Sequence, residues 1–250
     1  MDERSHTKRQ EERTILINFV LDKSGSMQTI CDATIAGFNR FLRDQQEEGG
    51  SAAMTLTLFD THFQTAATAL PLADVRPLDH RSYVPGGGTA LYDAIARTMA
   101  VTDQYVAERK PDQVLFVIMT DGEENSSLEF GRQQIMEMIE HRQRTAAYEF
   151  IYLGANQDAY QVGSGIGIAA GRTLDYAASP AAAQATMERV SHNVKAHRRL
   201  GEKRLESMAF FSEELESLGR ESWAEHKERR DRAAERGVQP SGADDKRGAD

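Results

Sequence analysis

The chain alternates short, almost continuous apolar runs with longer segments that carry an apolar stripe at helical spacing. Three of the runs have the β-branched and aromatic character of strands that are covered on both faces. These predicted strands cover residues 14–22, residues 112–120 and a run that begins at Tyr148. The striped segments predict helices over 29–48, 89–109, 128–144 and from Pro180 onward.

Residues 53–70 alternate apolar and polar positions, which predicts a strand, a tight turn near Asp60–His62 and an antiparallel return strand. A short edge strand is expected within residues 172–178. Strands that alternate with helices are typical of an α/β fold. We therefore expect a three-layer sandwich, with a mostly parallel central sheet, one antiparallel edge strand and helices on both faces.

The distribution of charge divides the chain into a domain and its flanking segments. Residues 1–13 are almost wholly polar and are predicted to form a flexible arm. The apolar patterns place one domain at 14–200. The composition then becomes highly charged, which predicts a solvated helical extension over 201–236 and a disordered tail over 237–250.

Charge and cysteine content narrow the classes of function. The formal net charge is −9, which argues against a nucleic-acid-binding protein, because such proteins cluster Lys and Arg against phosphates. Cys31 is the only cysteine, so no internal disulfide is possible and a reducing compartment is expected. The N-terminal residues resemble no secretory signal, and no apolar stretch approaches the length of a membrane span. A cytoplasmic location is therefore predicted.

Oxygen-bearing side chains follow the predicted strands at the points where ligands bind in α/β sheets, beyond the carboxyl ends. The first strand ends in "DKSGS", which contains Asp22, Ser24 and Ser26; the "GGGT" loop brings Thr89 to the start of a helix; and Asp121 follows the second buried strand. None of these five residues offers sulfur or imidazole. The set suits a hard divalent cation, Mg²⁺ first and Mn²⁺ next.

The spacing within the first loop fits one ion. Hydroxyls two residues apart in an extended loop point to the same side, and Gly25 between them avoids crowding. Mg²⁺ gives up water reluctantly, so part of its coordination shell is expected to stay hydrated or open. An Asp or Glu of a partner protein would fill the open position, with Gly88 and the charges of Glu123 and Glu124 at the rim.

Three quoted segments carry a specific resemblance. "DKSGSM" (22–27), "GGGTALYDA" (86–94) and "MTDGEENSS" (119–127) resemble the corresponding segments of a von Willebrand factor type A domain, the integrin I-like fold. That family's metal-ion-dependent adhesion site has the form Asp-x-Ser-x-Ser, then a distant Thr, then a distant Asp. The match is complete and in the expected order. The resemblance covers roughly residues 13–200.

The resemblance implies roles for the individual residues. Ser24, Ser26 and Thr89 would bind the metal through their hydroxyls, and Asp22 and Asp121 would act directly or through water. It also implies a non-enzymatic protein-binding module with an intracellular assembly or scaffold role. "YLGANQDAY" and the Gly-rich stretch after it resemble intracellular bacterial and phage-type members of the family.

Other interpretations stay open. The five polar residues are also compatible with ordinary turns and helix caps. Gly86–Gly88 before a helix could cradle a phosphate, but the Walker lysine is absent. The same ion could serve a hydrolase or phosphotransferase, for which Glu123 is the only nearby candidate base. A scaffold that acts through the charged C-terminal helix is a third alternative.

The sequence gives no indication of a zinc site. The thiol of Cys31 is expected to be buried and inert. His192 and His197 on the last helix are expected to be solvated, since no third ligand is suitably spaced. His62, His80 and His141 are scattered along the chain.

Overall fold

The computed structural model describes residues 14–145, 148–155, 158–199 and 210–211, with a few positions between 224 and 232. The described residues form six strands and five α-helices. The strands are β1 Thr14–Asp22, β2 Ser51–Phe59, β3 Phe63–Pro71, β4 Gln113–Thr120, β5 Tyr148–Ala155 and β6 Thr173–Tyr176. The helices are α1 Cys31–Glu47, α2 Leu91–Arg109, α3 Arg132–Thr145, α4 Ala159–Gly165 and α5 Pro180–Arg199. The expected N-terminal arm and C-terminal tail lie outside the described residues.

The strand order is β3-β2-β1-β4-β5-β6. β1 lies in the middle and pairs in parallel with both β2 and β4, while β3 runs antiparallel to β2 at one edge. This arrangement confirms the predicted fold class, the hairpin and the short strand at the opposite edge. Because β1 and β4 are parallel neighbours, the loops that follow them emerge side by side at the carboxyl edge.

Helices cover both faces of the sheet, as expected of strands that are apolar on both sides. On one face, alternate β1 residues pack against α1 and α5, with the ring of Phe19 edge-on to Phe38 at 5.4 Å and to Phe41 at 5.3 Å. The helices α1 and α5 approach closely where Gly37 faces Met187. The other face packs against α2 and α3.

Two helices start later than their sequence pattern predicts. Residues Gly25–Ile30 form a 3₁₀ helix, and α1 begins only at Cys31. The helix α2 begins at Leu91; the N–H of the preceding Ala90 donates to the carbonyl oxygen of Asp60, and its carbonyl oxygen accepts from Ala94 N–H. Thr89 therefore lies in a loop.

The C-terminal end of α5 is more enclosed than its charge suggests. The prediction that His197 is solvated is wrong: the side chain is buried, and its Nδ1 lies 2.8 Å from a carboxylate oxygen of Glu149. Arg172 also pairs with Glu149. The ring of Phe210 lies 4.9 Å from the imidazole, so a residue from the charged extension covers it.

Phe211 is buried as well, and its N–H donates to the carbonyl oxygen of Gly171 over 3.0 Å. Asn193 Nδ2 donates to the carbonyl oxygen of Phe210 over 2.7 Å. These bonds attach two residues of the extension to the domain. Within the described part of the chain, no helix combines the length and apolar character that crossing a membrane requires.

Candidate metal centre

The first loop of the site follows directly from the end of β1. The carboxylate of Asp22 is fully buried, and its Oδ1 accepts a hydrogen bond of 2.6 Å from the backbone N–H of Ser24. Ser24 has an extended backbone, and its Oγ lies 3.2 Å from Ser26 Oγ. The two hydroxyls therefore lie on the same side of the loop, as their spacing predicts.

The loop after β4 contacts the first loop through side chains. Ser26 Oγ donates to Asp121 Oδ1 over 2.6 Å, and Asp121 is only 1% exposed. Thr120 Oγ1 donates to Asp22 Oδ2 over 2.5 Å. The strand pairing produces this contact, since Leu21 is opposite Met119 and the next residues of both strands are neighbours.

Thr89 reaches the same place from the loop before α2. Its backbone N–H donates to Asn125 Oδ1 over 2.9 Å, and its carbonyl oxygen accepts from the N–H groups of Asn125 and Ser126. A Cβ placed on Gly122 would lie 3.3 Å from Thr89 Oγ1 and 3.6 Å from Ser26 Oγ, so the two hydroxyls face a common point. The structure thus brings all five candidate ligands together.

The two predicted rim residues lie on the loops around this cluster. Gly88 N–H donates to Thr61 Oγ1 over 2.8 Å, and a side chain at this position would overlap Ser126 Oγ. Glu123 is exposed on the loop that follows Asp121. Contact of either residue with a partner stays a prediction.

Burial makes the two carboxylates difficult to ionise. Burial raises the pKa of Asp22 to about 7, against the opposing hydrogen bonds from Thr120 and Ser24. Burial also raises the pKa of Asp121, and the hydrogen bond from Ser26 acts in the other direction. Lys23, which directly follows Asp22 in the chain, pairs with Asp60 instead.

A divalent cation fits this arrangement. Buried carboxyl groups need a compensating positive charge to ionise, and two of them lie beside three hydroxyls. The side-chain donors are all oxygen atoms, which suits a hard cation. When bound, such an ion would supply a positive centre that attracts an external carboxylate.

The sequence did not predict the residue that shapes the loop after β4. Glu124 was expected to be a rim charge, but its Oε1 accepts from the N–H groups of Ser126 (2.9 Å) and Ser127 (2.7 Å). Its Oε2 accepts from Tyr92 N–H over 3.0 Å and from Ser127 Oγ over 2.7 Å. Glu124 therefore joins this loop to the start of α2.

Two further residues support Asp22 and were not identified from the sequence. Thr120 bonds to the carboxylate, as described above, and Tyr83 donates its buried hydroxyl to the carbonyl oxygen of Asp22 over 2.6 Å. Thr120 is the last residue of its strand and directly precedes Asp121, which was a usable signal. Tyr83 lies in a loop without a recognisable pattern.

Comparison with protein-family profiles gives no match, and comparison with curated protein sequences gives none either. Solved structures are similar in fold. The vWF domain of the type V pili tip protein Mfa5 from Porphyromonas gingivalis has a TM-score of 0.58 at 11% sequence identity, over 76% of this chain and 98% of that chain.

Two more neighbours have TM-scores of 0.53 at 14% identity. The mussel byssus protein PTMP1, solved with a zinc-occupied MIDAS motif, aligns over 76% of this chain and 46% of its own. A mutant of the PilB minor pilin from Streptococcus sanguinis aligns over 75% of this chain and 63% of its own. This chain thus spans less than two thirds of either protein. The likeness shows that the chain has the fold of a von Willebrand factor A domain.

Proposed function

We propose that the protein is a protein-binding module that depends on a divalent metal, Mg²⁺ or Mn²⁺. Asp22, Ser24, Ser26, Thr89 and Asp121 would hold the ion, and an Asp or Glu of a partner protein would complete its coordination. The observation that carries the proposal is the convergence of two buried carboxylates and three hydroxyls at the carboxyl edge of the sheet.

The incomplete coordination of the ion explains why it would attract a partner. Ser24, Ser26 and Thr89 are neutral ligands, so the protein offers only the charges of Asp22 and Asp121 to a dication. Both oxygens of Asp22 and one oxygen of Asp121 already accept hydrogen bonds within the protein. Five side-chain ligands leave an octahedral ion at least one position for water, and a partner carboxylate would replace that water.

The structural neighbours support the same class of function. One neighbour, PTMP1, was solved with zinc in its MIDAS motif, and two others are a pilus tip protein and a minor pilin. We extend to this chain only the metal-dependent binding of a protein partner. An intracellular assembly or scaffold role is part of the proposal, based on the single cysteine and the bacterial-type resemblance.

The structure does not favour the hydrolase alternative. A hydrolase needs a base held beside the ion. Glu124 is more enclosed than Glu123 in the loop after β4, and both of its carboxylate oxygens accept hydrogen bonds from that loop and from α2. Glu123 is exposed. Turnover of a generic phosphoester with Mn²⁺ that is lost in Glu123→Gln would revive this alternative.

The first test is direct binding of Mg²⁺ and Mn²⁺, measured by calorimetry and by the shift of the melting temperature. Thr89→Ala is expected to weaken binding, because it removes one ligand from a loop that backbone bonds hold in place. Thr68→Ala, on the exposed edge strand β3, is the matched control. If Thr89→Ala binds either ion like the wild type, the ligand assignment is wrong.

The second test identifies the partner. The purified protein is used as bait in a lysate of the source cell, with Mg²⁺, with EDTA, and as Thr89→Ala with Mg²⁺. A protein captured only by the wild type with Mg²⁺ supports metal-mediated binding, and mutation of its acidic residues then locates the ligand. A protein retained in all three cases places the interface away from the ion and favours the C-terminal extension.

A further inference from the structure

A second group of side chains of metal-ligating type lies around the start of α1, separate from the five candidate oxygen ligands. One ligand atom each from Cys31, Asp32 and His80 lies within 4.8 Å of the other two. His80 Nε2 is 3.4 Å from Asp32 Oδ1. Adjacent ligand atoms of a tetrahedral zinc ion are separated by about 3.3 Å, as follows from Zn–N and Zn–O distances of about 2.0 Å. The separation of His80 and Asp32 matches this spacing, and the sulfur of Cys31 lies within 4.8 Å of both ligand atoms.

The backbone around His80 is well defined. Asp79 Oδ1 accepts hydrogen bonds from the N–H groups of Arg81 (2.9 Å) and Ser82 (2.8 Å), and the carbonyl oxygen of Asp79 accepts from Tyr83 N–H over 2.9 Å. These bonds form a closed turn. His80 is thus displayed from an ordered part of the loop.

Side-chain bonds also fix this turn against α1, the helix that carries the other two groups. Asn39 Nδ2 donates to the carbonyl oxygen of Leu78 over 2.8 Å, and Leu78 N–H donates to Asn39 Oδ1 over 2.7 Å. Leu78 is two residues before His80, and Cys31 and Asp32 are the first two residues of α1. The distance between the two elements is therefore set without a metal.

The donor chemistry differs from that of the first site. A thiolate, an imidazole and a carboxylate together suit a borderline-soft ion such as Zn²⁺, and they suit Mg²⁺ poorly. The thiol of Cys31 is buried, whereas the side chains of Asp32 and His80 are mostly exposed, so an ion can enter from solvent. Burial and the charge of Asp32 raise the pKa of the thiol, so the ion must displace a proton.

We propose that Cys31, Asp32 and His80 form a transition-metal site that binds Zn²⁺ with three protein ligands and leaves the fourth position for water or an external ligand. The site is distinct from the oxygen cluster of the proposed function and does not depend on it. It also gives the single cysteine of the chain a chemical role that neither the fold nor the first site requires.

The test uses Co²⁺, which replaces Zn²⁺ and absorbs strongly in the near ultraviolet when it is bound to a thiolate. The full-length protein is titrated with Co²⁺ in excess Mg²⁺, which occupies the oxygen-only site. The wild type is expected to develop the thiolate band, and added Zn²⁺ is expected to abolish it. Cys31→Ser removes the band, and His80→Gln weakens Co²⁺ binding at least roughly tenfold.

Two control variants make the result specific. His62→Gln is matched to His80→Gln, because His62 is also exposed and lies 3.4 Å from a carboxylate oxygen, that of Asp60. It is expected to leave the band unchanged, as is Asp22→Asn, which disables the first site. Because His80 is exposed, its substitution keeps the fold, which a thermal melt verifies.

The proposal is overturned if the wild type shows no thiolate band. It is also overturned if His80→Gln binds Co²⁺ as tightly as the wild type, since the thiol would then act alone. Failure of the proposed function has a different signature, because Mg²⁺ binding and partner capture would be lost while the Co²⁺ band of the wild type stayed intact.

Discussion

Asp22 is buried at the end of the central strand, and burial raises its pKa from 3.8 to about 7. In the pH range between these values the folded state binds more protons at this residue than the unfolded state. The contribution of Asp22 to stability is therefore fully present below about pH 4 and is lost as the pH rises through about 7. A bound dication reverses this loss, because it stabilises the ionised carboxylate.

We therefore expect Mg²⁺ to stabilise the protein more as the pH rises from about 5 to about 8. The measurement is chemical denaturation at each pH, once with Mg²⁺ and once with EDTA. A stabilisation by Mg²⁺ that is the same at both ends of this range would mean that no carboxylate is deprotonated when the ion binds.

The substitution Asp22→Asn removes the negative charge of this residue and keeps the size and shape of its side chain. The amide can still accept from Ser24 N–H and can donate to Thr120 Oγ1, which is free to turn its own hydrogen toward the carbonyl oxygen of Gly122. At about pH 7.5 without metal, we expect the variant to be more stable than the wild type by about 2 to 4 kcal/mol.

The same variant is expected to lose the stabilisation by Mg²⁺, which thermal melts with and without the ion will check. Ser24→Ala is a comparison that removes a ligand and keeps the charge of Asp22. If Asp22→Asn is less stable than the wild type without metal, burial does not destabilise the ionised form of Asp22.

The five candidate ligands could be predicted because they lie at or within a few residues of the ends of β1 and β4 or the start of α2. The difference between Glu123 and Glu124 could not be predicted. Both are glutamates in the same polar segment of the sequence. Only the path of the backbone after β4 turns the side chain of Glu124 toward α2. His80 was missed for a similar reason, since its approach to Cys31 depends on contacts between distant parts of the chain.

At the scale of elements, the loop between β4 and α3 depends on Glu124. Glu124→Gln replaces one acceptor oxygen by a donor that cannot bond to Tyr92 N–H, and we expect a loss of about 1 to 2 kcal/mol in the free energy of unfolding. We also expect faster hydrogen exchange at Ser126 and Ser127 and weaker Mg²⁺ binding. Glu123→Gln is the matched control and should change none of these, so equal effects of the two variants would contradict the assignment.

The contact between α1 and α5 requires a residue without a side chain at position 37. In Gly37→Ala, the added Cβ would lie 2.9 Å from Met187 Cγ and 3.0 Å from Met187 Cβ. Alanine favours a helix by about 1 kcal/mol over glycine, whereas overpacking costs about 1 to 3 kcal/mol. We expect net destabilisation, measured by chemical denaturation. A double-mutant cycle with Met187→Ala should recover part of it, and an additive result would exclude the clash.

Element types were predictable from apolar periodicity, but the starts of two helices were not. At the 3₁₀ helix Gly25–Ile30 and at the late start of α2, the first N–H groups donate to loops that are far away in sequence. Gly25 N–H donates to the carbonyl oxygen of Gly87, and Ala90 N–H donates to that of Asp60. Such bonds leave no periodic pattern in the chain.

At the scale of the whole molecule, the domain includes Phe210 and Phe211, which lie beyond the predicted boundary at residue 200. Both rings are buried, and the local composition concealed them because charged residues surround them. A chain that ends after Leu200 is expected to lose about 3 to 6 kcal/mol of stability with these two side chains. A chain that ends after Ser212 keeps them and is expected to unfold like the full-length protein.

This comparison, made by urea denaturation of both truncated proteins, also improves the test of the C-terminal scaffold alternative. Truncation after Ser212 removes most of the charged extension and keeps the contacts with Asn193 and Gly171. If both truncated proteins unfold alike, the two phenylalanines do not belong to the cooperative unit.

The pairing of α1 with α5 has a consequence for how the protein is made. On the ribosome, α1 emerges early and α5 is the last of these helices to emerge. The apolar side of α1 that packs against α5 therefore stays exposed until α5 has been synthesised. The three loops that carry Asp22, Thr89 and Asp121 are all complete before α5 is synthesised. All residues of the proposed metal site are therefore translated before the core on this face can close, and chaperone demand should be greatest in that interval.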